Sequence, residues 1–140
     1  MDEREIAALL AELVACDSTN PELVPGGAGE AAHAALVADR MERLGFRVEV
    51  ADVAPGRPNV VATLPGTGDG RRLMICGHGD VVGAAPEAFR PRIDGDRMRG
   101  RGTIDMKGGL VAGMAAAARI AAAGPLAGDL ILAVVADEEV

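Results

Sequence analysis

Apolar residues recur with the period of a helix near the start of the chain, at Ile6, Leu9, Leu10, Leu13 and Val14. This spacing predicts a first helix with one apolar face. The pattern stops at the stretch CDSTNPELVPGG, whose serine, asparagine, proline and glycine residues are typical of a loop.

A second amphipathic stretch covers residues 29–44, and the glycine that follows it, Gly45, is typical of the end of a helix. Phe46, Val48 and Val50 then alternate with polar residues, which predicts a half-buried strand. The chain therefore opens with two helices and a strand.

Two β-prone runs come next, RPNVVATLPG and RRLMICG, and the second is apolar enough to predict burial on both faces. The dipeptide at 94–95, Asp-Gly, predicts a small hairpin. An alanine-rich helix is predicted over residues 106–123, before the Gly-Pro pair at 124–125. The continuous apolar run over 130–136 predicts a buried strand of the kind found in parallel sheets.

From Leu73 onward the order of elements is strand, irregular segment, helix and strand, which is the pattern of a βαβ unit with a parallel pair of strands. Ligands of open α/β sheets bind at the carboxyl ends of the strands. Six polar residues that can bind metal or move protons lie just beyond a predicted strand or at the start of the connecting helix: His78, Asp80, Asp105, Asp137, Glu138 and Glu139.

One imidazole among several carboxylates suits zinc, manganese or cobalt. Two metals that share a carboxylate would favour hydrolysis, because they polarise a carbonyl and lower the pKa of a shared water, whose proton a neighbouring carboxylate can accept. Asp80 lies two residues from His78 and could hold the second imidazole nitrogen. Glu138 and Glu139 can both face the site only if strand alternation breaks there.

Each of these residues also has a structural interpretation. Asp105 could be a helix N-cap, His78 could be a structural residue after a strand, and the acidic triplet could be a solvated tail. His33 lies in a helical pattern without acidic partners and is interpreted as structural. The loop GRGTID lacks the third glycine of a dinucleotide site, and Lys107 is not placed as in a phosphate-binding loop. A carboxylate pair that acts in hydrolysis without metal is a further possibility.

The composition of the chain narrows its possible partners and cellular location. The 140 residues include 14 basic and 21 acidic ones, a net charge of −7, which argues against a nucleic-acid surface. The two cysteines, Cys16 and Cys76, are predicted to be reduced core residues, which favours the cytoplasm. The N-terminus has no secretory signal pattern, and breaks in the apolar stretch after Gly108 argue against a membrane span.

Three motifs, GHGDVV (77–82), GRGTIDMKGGLVAG (100–113) and ADEEV (136–140), resemble the metallopeptidase family of acetylornithine deacetylase, succinyl-diaminopimelate desuccinylase, aminoacylase and the glutamate carboxypeptidases. STNP and VPGGAGE upstream resemble the deacetylase and desuccinylase branch. With the βαβ order, the resemblance implies a zinc-exopeptidase-like α/β fold with helix, sheet and helix layers around a mostly parallel sheet. It also implies hydrolysis of an amide bond in an N-acyl amino acid or small peptide.

The resemblance implies a site with two zinc ions, for which cobalt or manganese could substitute. His78 would bind one metal, Asp105 would bridge both, and Glu139 would bind the other. Glu138 would be the general base, and Asp80 would orient His78.

The sequence departs from the family pattern in two respects. The stretch AAPEAFRP offers only Phe89 where the family commonly has an aromatic residue, often tryptophan. The family's remaining metal ligands, its substrate-carboxylate arginine and its dimerising lid domain lie C-terminal to the motifs seen here. We therefore expect residues 1–140 to be the N-terminal part of a catalytic domain, inactive alone, from a protein that forms a homodimer. The alternative is a binding or interaction module, or a subunit that a partner completes.

Overall fold

A computed structural model describes residues 1–140. The three helices, a short 3-10 helix and six strands are α1 (Glu3–Ala15), α2 (Ala31–Arg43), β1 (Arg47–Ala54), β2 (Arg57–Leu64), β3 (Leu73–His78), the 3-10 helix (Pro86–Phe89), β4 (Arg92–Asp94), β5 (Arg97–Arg99), α3 (Lys107–Ala123) and β6 (Leu130–Val135). Every predicted helix and strand is present, with bounds that shift by a few residues. The hairpin predicted around the Asp-Gly dipeptide is the β4–β5 pair.

The main sheet has the strand order β1-β2-β6-β3, and its strand directions are mixed. β3 and β6 are parallel and are joined through α3, which confirms the predicted βαβ unit. β1 pairs antiparallel with β2, and β2 pairs antiparallel with β6. The prediction of a mostly parallel sheet is therefore wrong. β6 lies between β2 and β3, and every side chain of its apolar run is buried or partly buried.

All three helices contribute to a single core on one face of the sheet. Leu9 and Leu13 of α1, Val37 of α2 and Met114 of α3 are completely or almost completely buried in that core. Alternate residues of the central strands face the same core, in keeping with the two-residue period of a strand: Val60, Ala62, Leu130, Leu132 and Val134. Residues 1–140 thus form two layers, and the predicted three-layer arrangement is not seen in them.

The other face of the sheet is not covered by a helix of this chain. Met74 on β3 is 56% exposed, and Cys76 is exposed as well. The predictions that β3 is buried on both faces and that Cys76 is a core residue are therefore wrong, since β3 is an edge strand with one open face. Cys16 is partly buried, and both cysteines are free thiols. None of the helices combines the length and apolar character needed to cross a bilayer.

Candidate metal centre

The parallel pairing of β3 and β6 places the carboxyl ends of the two strands side by side. His78, the last residue of β3, lies opposite Val135, the last residue of β6. Asp80 continues from one strand, and Glu138 and Glu139 continue from the other. Residues that are far apart in the sequence therefore meet at one edge of the sheet, as predicted.

The imidazole of His78 is buried and has a fixed orientation. Its Nδ1 lies 3.0 Å from the backbone carbonyl oxygen of Asp80. A carbonyl oxygen can only accept a hydrogen bond, so Nδ1 carries a hydrogen, and in the neutral ring Nε2 has the lone pair. Nε2 faces two carboxylates, with Asp105 Oδ1 at 3.1 Å and Glu138 Oε2 at 3.5 Å. The hydrogen bond to the Asp105 carboxylate requires a hydrogen on Nε2, and loss of that proton leaves a nitrogen that can bind a metal beside the two acids.

The three predicted metal ligands converge. One potential ligand atom from each of His78, Asp105 and Glu139 lies within 4.8 Å of the other two. Their burial differs, because His78 is buried, Glu139 is intermediate and the Asp105 side chain is 73% exposed. One imidazole nitrogen and two carboxylate oxygens form a donor set that zinc accepts. The residues present therefore fit a metal of this class.

Asp105 is not the N-cap of α3. The N-cap residue is Met106, and no side chain caps this helix. The Asp105 carboxylate instead points to His78, and the peptide bond between Asp105 and Met106 is cis. The structural interpretation that sequence alone left open for Asp105 is therefore wrong.

The carboxylate of Asp80 contacts a different group from the one predicted. Its Oδ1 lies 3.5 Å from Nδ1 of His78, farther than the backbone carbonyl that holds the ring. The carboxylate instead accepts hydrogen bonds from Asn20 Nδ2 at 2.7 Å, from the Glu138 N–H at 3.2 Å and from the Glu139 N–H at 3.0 Å. Asp80 therefore holds the imidazole with its backbone and the acidic segment with its side chain.

Strand alternation does break at the end of β6. Asp137 has a φ of 67°, in the left-handed region that residues other than glycine seldom adopt. Its Oδ1 accepts hydrogen bonds from Arg57 Nη2 at 2.9 Å and from Asn20 Nδ2 at 3.1 Å. This turn lets the backbone N–H groups of both Glu138 and Glu139 reach Asp80.

A buried ion pair supports that turn. Arg57 donates from Nε and Nη2 to the two carboxylate oxygens of Glu30, at 2.5 and 2.6 Å. Both residues are buried, and Oε1 of Glu30 also accepts the Asp137 N–H at 3.3 Å. Sequence reasoning missed Asn20, Glu30 and Arg57. Asn20 and Glu30 lie in the STNP and VPGGAGE motifs, and Arg57 begins β2, but none of these positions gives a local sign of its distant partner.

The surroundings shift the pKa values of three site residues. Burial alone would lower the pKa of His78, but the Asp105 hydrogen bond, the Asp80 carbonyl and the nearby acids together raise it. Burial alone would raise the pKa of Asp80, but hydrogen bonds from the Glu139 N–H, Asn20 and the Glu138 N–H lower it. The pKa of Glu139 is raised by burial and by the charge of Asp105. A cluster of acids that repel each other in this way attracts a cation.

Two buried basic side chains lie behind the site. His33 is fully buried under Gly79, where an added Cβ would lie 2.9 Å from its Nδ1. Neither ring nitrogen of His33 has a partner, and burial lowers its pKa to about 3. Lys107 Nζ donates to the carbonyls of Leu13 at 2.9 Å and Cys16 at 2.7 Å, which ties the start of α3 to the end of α1. Burial lowers the pKa of Lys107 to about 8.

Comparison with known proteins gives consistent matches. Residues 74–140 match the sequence profile of Peptidase family M20/M25/M40. Succinyl-diaminopimelate desuccinylase of Gluconobacter oxydans is 39% identical over an alignment that covers 94% of this chain and 34% of that enzyme. N-formyl-4-amino-5-aminomethyl-2-methylpyrimidine deformylase of Halalkalibacterium halodurans is 36% identical, with 99% of this chain and 34% of that enzyme covered. The chain thus spans about a third of the length of these curated relatives.

A solved structure shows the same architecture. The M20 family metallo-carboxypeptidase of Sulfolobus solfataricus superimposes with a TM-score of 0.82 at 26% identity, covering 99% of this chain and 32% of the carboxypeptidase. The motifs on β3, on β6 and on the loop before α3 all fall within the matched segment, 74–140. On its sequence and its fold, the chain belongs to peptidase family M20/M25/M40.

Proposed function

We propose that this chain supplies the metal-binding edge of a hydrolase that cleaves the amide bond of an N-acyl amino acid or a small peptide. The observation that carries the proposal is the convergence of His78, Asp105 and Glu139 within 4.8 Å at the ends of two parallel strands. The names of the relatives support the reaction class, since one removes a succinyl group and another a formyl group.

His78, Asp105 and Glu139 would hold the metal, and Asp105 would be shared between two ions of zinc, cobalt or manganese. When bound, such metals polarise the substrate carbonyl and lower the pKa of a coordinated water. Asp80 holds the His78 ring through its carbonyl, so that Nε2 keeps its lone pair for the metal. The same residue fixes the backbone of Glu138 and Glu139.

Glu138 is the proposed general base. Its carboxylate lies beside the ligand set, 3.5 Å from His78 Nε2, and is 57% exposed. A carboxylate that borders the metal site and remains open to solvent can accept the proton of the attacking water and pass it to the leaving nitrogen. Metal binding is thereby assigned to Glu139, and proton transfer is assigned to its neighbour, Glu138.

The proposed substrate class follows from the relatives. A desuccinylase and a deformylase share the cleavage of an acyl group from nitrogen and differ in the acyl group and the amine. N-succinyl amino acids are therefore the first compounds to assay, and N-formyl and N-acetyl compounds follow. A homodimer and a cytoplasmic location remain predictions, which light scattering and cell fractionation of the full protein would test.

The test uses the complete reading frame that contains residues 1–140. Purified protein is assayed for bound zinc and for hydrolysis of succinyl-diaminopimelate, in parallel with Asp105→Asn and with Asp69→Asn as a matched control on an exposed loop. We expect Asp105→Asn alone to lose zinc and activity. Unchanged zinc content and hydrolysis in Asp105→Asn would refute the metal assignment and favour a carboxylate pair acting without metal.

A further inference from the structure

Positive charge is concentrated around the β4–β5 hairpin. The chain carries 14 basic residues and a net charge of −7, yet five arginines fall between positions 90 and 101. These five are Arg90, Arg92, Arg97, Arg99 and Arg101. Asp94 and Asp96 at the turn offset two of these charges, which leaves residues 90–101 with a net charge of +3 on an otherwise acidic molecule.

Four of these arginines line one open cavity. Arg90, Arg92, Arg99 and Arg101 surround a space of about 490 Å³, and Glu87 is the only acidic residue in its lining. Arg92 lies directly opposite Arg99 in the antiparallel pair. Like charges that face each other across a hairpin are destabilising unless an anion screens them.

None of the four arginines forms an ion pair within the chain. Arginines elsewhere in the molecule do form ion pairs, for example Arg57 with Glu30 at 2.5 Å and Arg72 with Asp129 at 3.0 Å. In the hairpin only Arg97 has an acidic partner, Asp96 at 3.9 Å. The cavity therefore carries an uncompensated positive charge.

One guanidinium of the cavity is also short of a hydrogen-bond partner. Nε of Arg101 is buried and has no acceptor, and Nη2 of the same side chain makes only a long contact of 3.5 Å with the Gly83 carbonyl oxygen. A buried donor without an acceptor is unfavourable, and an oxyanion would supply the missing acceptor. The fork of N–H groups on arginine matches the oxygens of phosphate.

We propose that the cavity formed by Arg90, Arg92, Arg99 and Arg101 is a binding site for the phosphate group of a small anionic ligand. With one acid among the four arginines, the lining favours a ligand with at least two negative charges. This site is built from the hairpin and the 3-10 segment, and none of its lining residues belongs to the proposed ligand set of His78, Asp105 and Glu139.

The test is calorimetric titration of the 140-residue chain at low ionic strength with pyrophosphate, inorganic phosphate, glycerol phosphate and succinate. The Arg92→Gln/Arg99→Gln variant is compared with Arg4→Gln/Arg47→Gln, which removes the same charge at exposed positions elsewhere. We expect binding of a phosphate compound at one site per chain. The cavity variant should bind about ten-fold more weakly, and the control should change by less than about two-fold.

The compounds distinguish the source of the phosphate group, because tighter binding of glycerol phosphate than of inorganic phosphate identifies a phosphorylated metabolite. Amide resonances provide a second measurement, and the peaks of Ala88, Gly100 and Arg101 should shift on titration. Equal weakening in both variants, shifts confined to other regions, tighter binding of succinate, or no binding by any phosphate compound would each overturn the proposal.

Discussion

The carboxylate of Asp80 accepts a hydrogen bond from the backbone N–H of Glu139 at 3.0 Å and another from Glu138 at 3.2 Å. The two acids follow a different strand from Asp80, so these bonds fix the end of β6 relative to the end of β3. The backbone carbonyl of Asp80 meanwhile holds Nδ1 of His78. One residue thus sets the positions of the imidazole and of the two glutamates.

Replacing Asp80 should therefore weaken the metal centre without removing a ligand. Asn at this position keeps the size of the side chain and loses one charged acceptor. We expect Asp80→Asn to lower zinc affinity by about 10- to 100-fold, in the range found when groups that support ligands are removed. Zinc titration checks this, and an affinity equal to that of Asp69→Asn would show that the Asp80 carboxylate is not needed.

Adjacent acids should have separable roles. In the full protein we expect Glu138→Gln to keep its zinc and to lose about 10²- to 10⁴-fold in kcat, the usual contribution of a general base. Glu139→Gln should lose zinc as well as activity. Metal analysis beside an amide-hydrolysis assay separates the two, and loss of zinc in Glu138→Gln with retention in Glu139→Gln would reverse the assignment.

The buried pair of Arg57 and Glu30 should matter for stability. Arg57→Met removes the positive charge and leaves the Glu30 carboxylate buried, since Glu30 is only 1% exposed. Loss of one partner of a buried pair costs about 3 to 5 kcal/mol of unfolding free energy. Urea unfolding of the metal-free chain measures this cost. Arg72→Met serves as the control, because Arg72 forms an exposed pair with Asp129. Equal costs at the two positions would argue against a special role for Arg57.

The lowered pKa of buried His33 predicts that the folded chain loses stability in acid. Its pKa in the folded chain, about 3, lies below the ordinary value of 6.5. The unfolded chain therefore binds more protons between these values, and the His33 contribution is complete above pH 6.5 and is lost as the pH falls toward 3. Between pH 7 and pH 5 the loss is about 2 kcal/mol. Urea unfolding in the presence of a chelator should show a smaller loss of unfolding free energy in His33→Gln than in the original chain. An identical pH dependence of stability in the two proteins would contradict this expectation.

The meeting of His78 and Glu139 was predictable because both residues follow strands whose patterns are visible in the sequence. The change from the apolar run of β3 to the helical pattern of α3 and back to β6 identifies a parallel pair. Parallel strands bring their carboxyl ends to the same edge, so His78 and Glu139 had to meet there. No knowledge of side-chain contacts was needed.

The remaining features depend on contacts between distant segments. Val60 on β2 pairs with Val134 on β6, and an apolar run fits a central strand equally well whether its neighbour is parallel or antiparallel. Asn20 bonds Asp80 from 60 residues away and Asp137 from 117 residues away. Local periodicity carries no information about such hydrogen bonds, so the network around Asp137 became visible only in three dimensions.

The most direct test of the metal centre is a competitive zinc titration of the 140-residue chain and its single variants. We expect weak binding, short of the nanomolar range, because only three protein ligands converge here. His78→Gln, Asp105→Asn and Glu139→Gln should each weaken it by at least about ten-fold, while Asp69→Asn should leave it unchanged. Zinc binding that is equally strong in all four variants would contradict the proposed ligand set.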